Sequence, residues 1–406
     1  MKLPVHRWFR YSAGFSAEWV CSVLNEKFSQ DSEITVLDPF AGIGTTLLAC
    51  NSIRVNSIGF ESHPFIYRIT KAKLNALILS LQDLQDYLNE FLLRVSKLSD
   101  SMPDETSILM NKCYTRESLA KLYKLKKVYL EDNADGSPEA EILWLLITSI
   151  LRQCSFAGTA QWQYVLPNKT KKKVMSPYIA FEKKTAEIIF DIAYSQQSNW
   201  KNKAEIYLTD ARCPDIDIAN ICDLVITSPP YPNNYDYADA TRLEMTFWGD
   251  ISGWSDLQTK VRKNLVRSCS QHSAAEKLKL EEILEDKILE PIYDELNLAC
   301  RELEQVRLTK GGKKTYHTMA AAYFKDLGYV FKALRNICRP GSDMCFVIGD
   351  SAPYGVYLNV DEWLGELAVS AGFKSYSFEK IRSRNIKWKN RKHNVPLKEG
   401  RLWIKG

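Results

Sequence analysis

The stretch from Asp223 to Tyr231 constrains the fold of this chain more than any other. Its apolar run Leu-Val-Ile-Thr ends abruptly at Ser228 and two consecutive prolines. A short apolar run that stops at such a breaker predicts a strand buried on both faces of a parallel sheet. Proline fixes φ and has no N–H donor, so the chain must leave the sheet in a stiff, extended turn. Open α/β sheets form their ligand sites at the carboxyl ends of such strands, which makes this turn a candidate site.

Other short apolar runs share this pattern, and segments of helical periodicity separate them. The predicted strands are 34–37, 57–60, 205–208, 223–227, 344–348 and one more near 375–381. Amphipathic helices are predicted between them, for example over Ala17–Phe28 and Thr318–Cys338. Strands that alternate with helices in this way predict an α/β fold of the Rossmann-like, doubly wound type, with a mostly parallel sheet.

Two long segments of mainly helical periodicity interrupt this rhythm. In the first of these segments, helices are expected over Ile66–Leu98, whereas 155–174 has no regular pattern and is expected to be irregular. A further helix is expected over Tyr235–Gly249, before the second segment begins. The predicted core of the fold is 1–64, 205–249 and 318–406, and the predicted insertions are 65–204 and 250–317.

Composition and charge place the chain among ordinary soluble proteins. Apolar residues make up 45% and charged residues 25%, and the net charge of +5 permits a polyanionic partner without requiring one. No apolar run approaches the ~18 residues that span a bilayer, and the N-terminal stretch lacks a signal-peptide core. We therefore expect a cytoplasmic protein with no membrane association. Ten cysteines without a C-x-x-C pair and five dispersed histidines favour reduced, buried thiols over disulfides or a metal site.

Three predicted strand ends carry residues that suit a nucleoside. The first strand runs into Asp38-Pro-Phe-Ala-Gly-Ile-Gly-Thr-Thr46, whose two glycines would let a ligand approach the backbone closely. Glu61 closes the second strand, where a carboxylate can accept hydrogen bonds from two ribose hydroxyls, and Asp210 closes the third, where it can accept from an adenine amine. Leu47 replaces the third glycine of the dinucleotide fingerprint, which argues against a dehydrogenase.

Two of these stretches together resemble a known family. Asp38–Thr46 and Thr227-Ser-Pro-Pro-Tyr231 are similar to the motifs of the S-adenosylmethionine-dependent amino-methyltransferases of DNA, from restriction–modification systems and their solitary relatives. The Ser-Pro-Pro-Tyr form most resembles the N4-cytosine enzymes, since the N6-adenine enzymes more often carry Asp or Asn in place of the serine. The resemblance covers roughly 6–75, 205–249 and 318–385, and it implies S-adenosylmethionine as cofactor and a methyltransferase sheet of the seven-stranded type.

The resemblance also implies which residues form the site. Those that would contact the target base are Ser228, Pro229, Pro230 and Tyr231. Those that would bind the cofactor are Phe15, Ser16, Asp38, Phe40, Gly42, Gly44, Thr45, Thr46, Glu61 and Asp210. In this assignment Glu61 holds the ribose, Asp210 holds the adenine, and Phe15 with Ser16 reaches the cofactor's carboxylate. Many N4-cytosine enzymes have the two motifs in the opposite order along the chain. This chain differs from them in that respect, which weakens the assignment of cytosine as target base but not the assignment of amino-methylation.

The chemistry of the turn agrees with this resemblance. An exocyclic base amine is a weak nucleophile because its lone pair is delocalised into the ring. Hydrogen bonds from the amine to the Ser228 hydroxyl and the Pro229 carbonyl would favour a pyramidal nitrogen aimed at the donor methyl. The base must first leave the duplex, and Tyr231 could then stack on it. The chain has no Pro-Cys dipeptide, which the C5-cytosine enzymes use as nucleophile.

Three alternatives to N4-cytosine methylation stay open at this point. They are an N6-adenine DNA methyltransferase, an RNA base amino-methyltransferase, and a non-catalytic relative that binds nucleic acid. The sequence does not fix the oligomeric state.

Double-stranded DNA is the expected partner, and a cognate restriction endonuclease is a possible second one. The basic run Lys169–Lys173 and the tail 382–405 are the favoured DNA contacts, and either insertion could read the target sequence. The run Asn233–Tyr237 either lines the base pocket or forms a polar loop. Further basic and aromatic candidates for DNA contact are Arg262, Lys263, Arg267, Lys310–Lys314, Trp162, Tyr164, Trp388 and Trp403.

Overall fold

A sheet of seven strands lies at the centre of the structure, a computed structural model that describes residues 3–11, 14–28, 33–132, 136–160, 164–200, 203–311, 314–384 and 395–406. In chain order the strands are β1 (Thr35–Asp38), β2 (Asn56–Glu61), β3 (Ala157–Thr159), β4 (Val165–Thr170), β5 (Ala204–Leu208), β6 (Cys222–Thr227), β7 (Cys338–Gly349), β8 (Ser375–Arg384) and β9 (Leu397–Lys405). Strands β3 and β4 pair with each other in a separate hairpin. The other strands form the central sheet.

The strands of the central sheet follow the order β5-β2-β1-β6-β7-β9-β8. The first five are mutually parallel, and β9 runs antiparallel to both of its neighbours. The chain starts in the middle at β1, builds outward through β2 to β5, and then crosses to β6 on the other side of β1. This reversal is the switch point at which doubly wound sheets bind ligands. The predicted Rossmann-like sheet of the methyltransferase type is confirmed.

Helices cover both faces of the sheet. In chain order they are α1 (Ala17–Lys27), α2 (Thr45–Ser52), α3 (Pro64–Ala76), α4 (Leu81–Lys97), α5 (Ile108–Cys113), α6 (Arg116–Asp132), α7 (Pro138–Cys154), α8 (Pro177–Gln197), α9 (Arg242–Trp248), α10 (Trp254–Asp256), α11 (Ser270–Ala275), α12 (Leu280–Leu284), α13 (Tyr293–Thr309), α14 (Tyr316–Ile337) and α15 (Val360–Ser370). Shorter 3-10 and π turns lie at His6–Trp8, Asp239–Thr241, Leu257–Val261, Arg262–Asn264, Lys287–Ile292 and Pro353–Gly355. Within the described ranges, none of the helices is long and apolar enough to cross a membrane.

Alternate residues of the central strands bury themselves against different helix layers. Val36, Leu224 and Ile226 pack with α1 and α2 on one face. Leu37 and Val225 pack with α13, α14 and α15 on the other face. Each of these five side chains is fully buried. Burial on both faces explains why the parallel strands appear in the sequence as continuous apolar runs and not as alternating ones.

A third core joins helices α3, α4, α6, α7 and α8 to the N-terminal segment that carries Val5 and Trp8. The helical periodicity over Ile66–Leu98 corresponds to two helices, α3 and α4. The chain turns between them, and the Ser80 hydroxyl caps α4 by accepting a hydrogen bond from the Asp83 N–H at 3.3 Å. The helix expected over Tyr235–Gly249 begins only at Arg242, because the preceding residues form a loop held by side-chain hydrogen bonds.

The irregular structure expected over 155–174 is also incorrect, since this stretch contains the hairpin of β3 and β4. The hairpin has no alternating apolar pattern because Val165 is the one buried residue of β4, and its last three residues are all exposed. The two strands pair in antiparallel fashion, and their register shifts between Ala157 and Gly158. Short, exposed strands of this kind carry little sequence signal.

The C-terminal tail, expected to bind DNA as a basic segment, contributes the strand β9 to the sheet. Leu402 and Ile404 are fully buried within it, and Trp403 packs against the core formed by α1 and α2. The Trp403 indole N–H donates to Glu379, and Lys27 lies over its ring at 4.7 Å. Trp403 is therefore engaged within the protein. Trp162, Trp388 and four of the nine lysines and arginines of this tail lie outside the described residues.

Replacement of Leu402 with alanine tests whether β9 is an integral strand. We expect the free energy of unfolding to fall by about 2–5 kcal/mol, the usual range for a buried leucine truncated to alanine. Chemical denaturation measures this quantity. Lys405→Ala serves as a control, because it removes only an exposed ion pair with Asp343 and should cost less than about 1 kcal/mol. Equal, small effects of both changes would mean that the tail does not belong to the sheet.

Candidate active site

The carboxylate of Asp38 holds together three segments at the carboxyl edge of the sheet. It accepts hydrogen bonds from the Thr227 hydroxyl at 2.6 Å, the Thr46 hydroxyl at 2.7 Å and the Phe40 N–H at 3.1 Å. These bonds connect the end of β1 with the start of α2 and with the end of β6. Asp38 is 1% exposed, and this burial raises its pKa to about 6 although all three hydrogen bonds act in the opposite direction. Asp38 is therefore a positioning residue for both predicted motifs.

The glycine turn between β1 and α2 requires the absence of side chains. Gly42 and Gly44 have φ values of 53° and 84°, in the left-handed region that favours glycine. A Cβ at Gly44 would lie 2.7 Å from the Thr70 methyl carbon. The Thr70 hydroxyl donates to the Gly42 carbonyl at 2.6 Å, and the Lys73 amine donates to the Ile43 carbonyl at 3.1 Å. Helix α3 thus supports the turn through two consecutive carbonyls.

Glu61 lies at the end of β2, next to this turn. Its two carboxylate oxygens accept hydrogen bonds from the Gly42 N–H at 2.9 Å and the His63 N–H at 2.7 Å. Burial raises the pKa of Glu61 to about 7, and the nearby charge of Asp38 acts in the same direction. Each oxygen retains a lone pair. A half-buried carboxylate next to the glycine turn is suited to accept from the two hydroxyls of a ribose, as the sequence predicts.

The Ser-Pro-Pro-Tyr turn follows β6 and contacts the end of β7. The Ser228 hydroxyl donates to the Val347 carbonyl at 3.1 Å, and Ser228 also lies within hydrogen-bonding reach of the Tyr231 hydroxyl. Since a serine oxygen has two lone pairs, one remains to accept from a substrate amine. Pro229 is buried and Pro230 half-buried.

Tyr231 is packed against residues that the sequence did not single out. A Cβ at Gly349 would lie 3.1 Å from the Tyr231 ring and 2.5 Å from the Arg384 guanidinium. The Arg384 guanidinium lies 5.6 Å from the centre of that ring and donates to the Asp350 carbonyl at 3.1 Å. Burial raises the pKa of Tyr231 to about 12, so its hydroxyl stays protonated at neutral pH. Gly349 and Arg384 hold one side of the predicted base pocket in place.

The remaining predicted cofactor residues have identifiable partners. Asp210 follows β5, and its carboxylate forms a bidentate ion pair with Arg212, with a shortest distance of 2.6 Å. Ser16 caps α1 by accepting from the Trp19 N–H at 3.2 Å, while Phe15 contacts the Trp19 ring edge-on at 5.6 Å. Their roles toward a cofactor stay predictions. Phe40, which is half-buried, lies within the turn, and Thr45 and Thr46 are the first residues of α2.

The run Asn233–Tyr237 uses its polar groups within the protein. The Asn234 amide oxygen accepts from the Ser270 N–H at 2.8 Å, and Asp236 forms a buried ion pair with Arg262 at 2.5 Å. These contacts fasten the loop to the second insertion. The rings of Tyr235 and Tyr237 meet edge-on, with their centres 4.5 Å apart.

Sequence patterns alone can identify only some of the residues that form this site. The strand-end residues of β1, β2 and β6 could be found because each lies within a few residues of a recognisable turn. Gly349 could have been found from the Gly-Asp-Ser that ends β7. Arg384 could not, because its neighbour Tyr231 is far away in the chain and the contact depends on how β8 enters the sheet.

Together, the sheet order and the adjoining glycine and Ser-Pro-Pro-Tyr turns define a Rossmann-like methyltransferase. Comparison with known proteins is consistent with this class. Residues 22–72 match the sequence model of the DNA methylase family of the N6/N4 type. Type II methyltransferase M.BsoBI of Geobacillus stearothermophilus is 25% identical over 94% of this chain and 81% of its own length. Type II methyltransferase M.AvaI of Nostoc sp. is 24% identical over 91% of this chain and 79% of its own length.

Two further matches are more limited. Type II methyltransferase M.MjaII of Methanocaldococcus jannaschii is 29% identical over 33% of this chain and 26% of its own. Among solved structures, the rRNA methyltransferase aviRa from Streptomyces viridochromogenes has a TM-score of 0.32 at 9% identity, over 98% of this chain and 89% of its own, a likeness too weak to argue from. The resemblance to the DNA amino-methyltransferases of restriction–modification systems is confirmed by the first three comparisons.

A pair of glycine substitutions separates backbone strain from steric conflict in the turn. Gly44 and Gly249 have nearly equal φ values of 84° and 89°, but a Cβ at Gly249 would meet nothing within 4 Å. We expect Gly249→Ala to cost about 1–2 kcal/mol of stability from backbone strain alone. Gly44→Ala should cost more and should also abolish cofactor binding, because the turn or α3 must shift. Denaturation and calorimetry measure the two effects; equal losses at both positions would contradict this account.

Proposed function

We propose that this chain transfers a methyl group from S-adenosylmethionine to the exocyclic N4 amine of cytosine in a base flipped out of double-stranded DNA. The observation that carries the proposal is the orientation of Ser228. The Ser228 hydroxyl donates to the Val347 carbonyl at 3.1 Å, and this bond would leave its oxygen as an acceptor for a substrate. A base amine, which has two N–H donors, is the group that such an acceptor suits.

The residues of the turn prepare the nucleophile. When bound, the cofactor supplies a methyl group on a positively charged sulfur. The Ser228 oxygen and the Pro229 carbonyl each accept one N–H of the amine, which localises the nitrogen lone pair and directs it away from the ring plane. Held in this way, the amine would take the methyl as its bond to sulfur breaks and the bonding electrons stay on sulfur, and the amine would then lose one proton to solvent. Orientation of this kind supplies several kcal/mol of a barrier without a covalent enzyme intermediate.

The donor set of the glycine turn fits the cofactor. Glu61 offers two carboxylate oxygens beside the glycine turn, which suits a ribose with two hydroxyls. Asp210 accepts from the Arg212 guanidinium and from the Arg212 N–H, and an adenine amine would add to these bonds at the end of β5. The carboxyl ends of β2, β1 and β6 are adjacent in the sheet, so ribose, methyl donor and target amine would lie side by side.

The choice of cytosine over adenine rests on the Ser-Pro-Pro-Tyr form of the motif. The family whose sequence model matches includes methylases of both amines. A cognate restriction endonuclease is part of the proposal, because M.BsoBI and M.AvaI are Type II methyltransferases.

Identification of the methylated nucleoside tests the proposal. Duplex DNA is incubated with the protein and methyl-labelled cofactor, digested to nucleosides and separated by chromatography. We expect the label in N4-methylcytosine. Label in N6-methyladenine would overturn the target base alone; label in 5-methylcytosine, or label in RNA and not in duplex DNA, would overturn the proposal.

Ser228→Ala tests the role of the acceptor. We expect kcat to fall about 10²-fold, the usual loss when one preorganised polar contact to the reacting group is removed. The dissociation constant of the cofactor should stay the same, because Ser228 lies on the base side of the site. Calorimetry supplies this control. A parallel loss of cofactor binding would mean that the substitution disturbs the whole strand end.

Glu61 makes cofactor binding dependent on pH. Its pKa is raised to about 7 in the free protein, and ribose hydroxyls donate best to the ionised form. Binding therefore favours the ionised carboxylate, and affinity should rise as pH rises through 7. We expect about tenfold tighter binding at pH 8 than at pH 6, the change in ionised fraction for one such group. Glu61→Gln should bind more weakly and lose this difference; an unchanged pH profile in that variant would exclude Glu61 as the titrating group.

A further inference from the structure

A basic cleft of about 540 Å³ lies outside the proposed active site. The N-terminal segment, the end of α7, the chain that follows β4, and α8 form its walls. The cationic side chains that line it are Arg7, Arg10, Arg152, Lys171, Lys173 and Lys184. These residues come from four separate stretches of the chain, so the cluster results from folding and not from one basic run.

Carboxylates pair with Arg7, Arg152 and Lys184 among these cations. Arg7 pairs with Asp191 at 2.5 Å, Arg152 pairs with Glu244 at 2.5 Å, and Lys184 pairs with Glu187 at 2.6 Å. Asp191 and Glu244 are fully buried, so these pairs build a rigid floor.

Lys171 and Lys173 bring further positive charge that the floor does not balance. Among the described residues that line the cleft, Glu244 is the only acid, and its carboxylate is bound to Arg152. The Lys171 amine donates to the Arg152 backbone carbonyl. Burial lowers the pKa of Lys171, and the charge of Arg152 acts in the same direction. A cluster of cations that repel one another in this way becomes more stable when it binds an anion.

The floor of the cleft is connected to the proposed base pocket. The Arg152 guanidinium donates to the Ala240 carbonyl at 2.6 Å, in the loop that follows Tyr231. The same loop is held from the hairpin side, where the Tyr164 hydroxyl accepts from the Asp236 N–H at 2.6 Å. The Tyr164 ring lies 5.5 Å from that of Tyr235. An anion in the cleft would therefore be held at a fixed position relative to the target base.

We propose that this cleft binds the phosphate backbone of the DNA duplex beside the target base. Arginine and lysine supply most phosphate contacts in protein–DNA complexes, and such contacts fix the register of the protein on the duplex. Lys173 is exposed at the rim, and the exposed residues Lys169 and Thr170 continue the surface along β4. An open, continuous basic surface fits a polymer of phosphates better than a single small anion. The proposal rests on the DNA methyltransferase function, and it assigns the phosphate contacts to the first insertion.

The salt dependence of DNA binding tests the proposal without any methylation. Binding of a fluorescent duplex to the whole protein is measured by anisotropy at several salt concentrations. Each phosphate contact contributes about 0.9 to the slope of log K against log salt. We expect the slope for Lys173→Gln to be less steep by about 0.9, and that for Lys171→Gln/Lys173→Gln by about 1.8. Lys173→Arg should retain the slope of the unmodified protein.

Lys287→Gln is the matched control, because it removes one exposed lysine charge from the second insertion. Its slope should equal that of the unmodified protein. Lys173→Gln should also raise KM for DNA while kcat and the dissociation constant of the cofactor stay unchanged. An unchanged slope in Lys173→Gln, or an equal change in Lys287→Gln, would overturn the cleft as the phosphate site and leave the methyltransferase function standing. Binding of an RNA hairpin but not of duplex DNA would instead overturn the DNA function itself.

Discussion

The rest of the site depends on the hydrogen bonds that the Asp38 carboxylate accepts. One of them comes from Thr46 at the start of the glycine turn's helix, and another comes from Thr227, the residue directly before Ser228. One buried side chain therefore fixes the distance between the predicted cofactor turn and the predicted base turn. The carboxylate resists ionisation because it is buried, and its pKa is raised to about 6. The hydrogen bonds that offset this cost are the same ones that join the two motifs.

The sheet makes this arrangement possible. Strand β1 lies between β2 and β6, and the chain direction reverses at that point. The turn that follows β1 can therefore contact the ends of both neighbouring strands. It also lies at the switch point, where such sheets bind ligands. Glu61 reaches the turn from β2 and Thr227 reaches it from β6. The antiparallel strand β9 serves a different purpose: it connects β7 to β8 and so brings Arg384 to the Tyr231 ring.

The sequence predicts those parts of the fold whose signals are local. Strands β1, β2, β5 and β6 are short apolar runs that stop at a turn, and each strand-end residue lies beside its own signal. Strand β9 is not predicted because charged residues occupy four of its partly or fully exposed positions and Gly400, a poor strand former, occupies a buried one. Gly400 is required there, since a Cβ would lie 2.3 Å from the Glu379 carbonyl. Contacts such as Arg384 with Tyr231 arise only from the order of the strands, which no local pattern contains.

The glycine turn also depends on the helix that follows β2. Thr70 and Lys73 lie on one side of α3 and hydrogen-bond two consecutive carbonyls of the turn. Lys73 is fully buried, and burial lowers its pKa to about 7. A buried amine without a hydrogen-bond partner would destabilise the fold, and the Ile43 carbonyl provides that partner. The same helix packs against α7, whose last turn carries Arg152 in the floor of the basic cleft. Because α3 and α7 share one buried core, the cofactor turn and the proposed phosphate site are held by the same set of packed helices. A change in that core would therefore disturb both, whereas a change of an exposed lysine at the rim would disturb only the second.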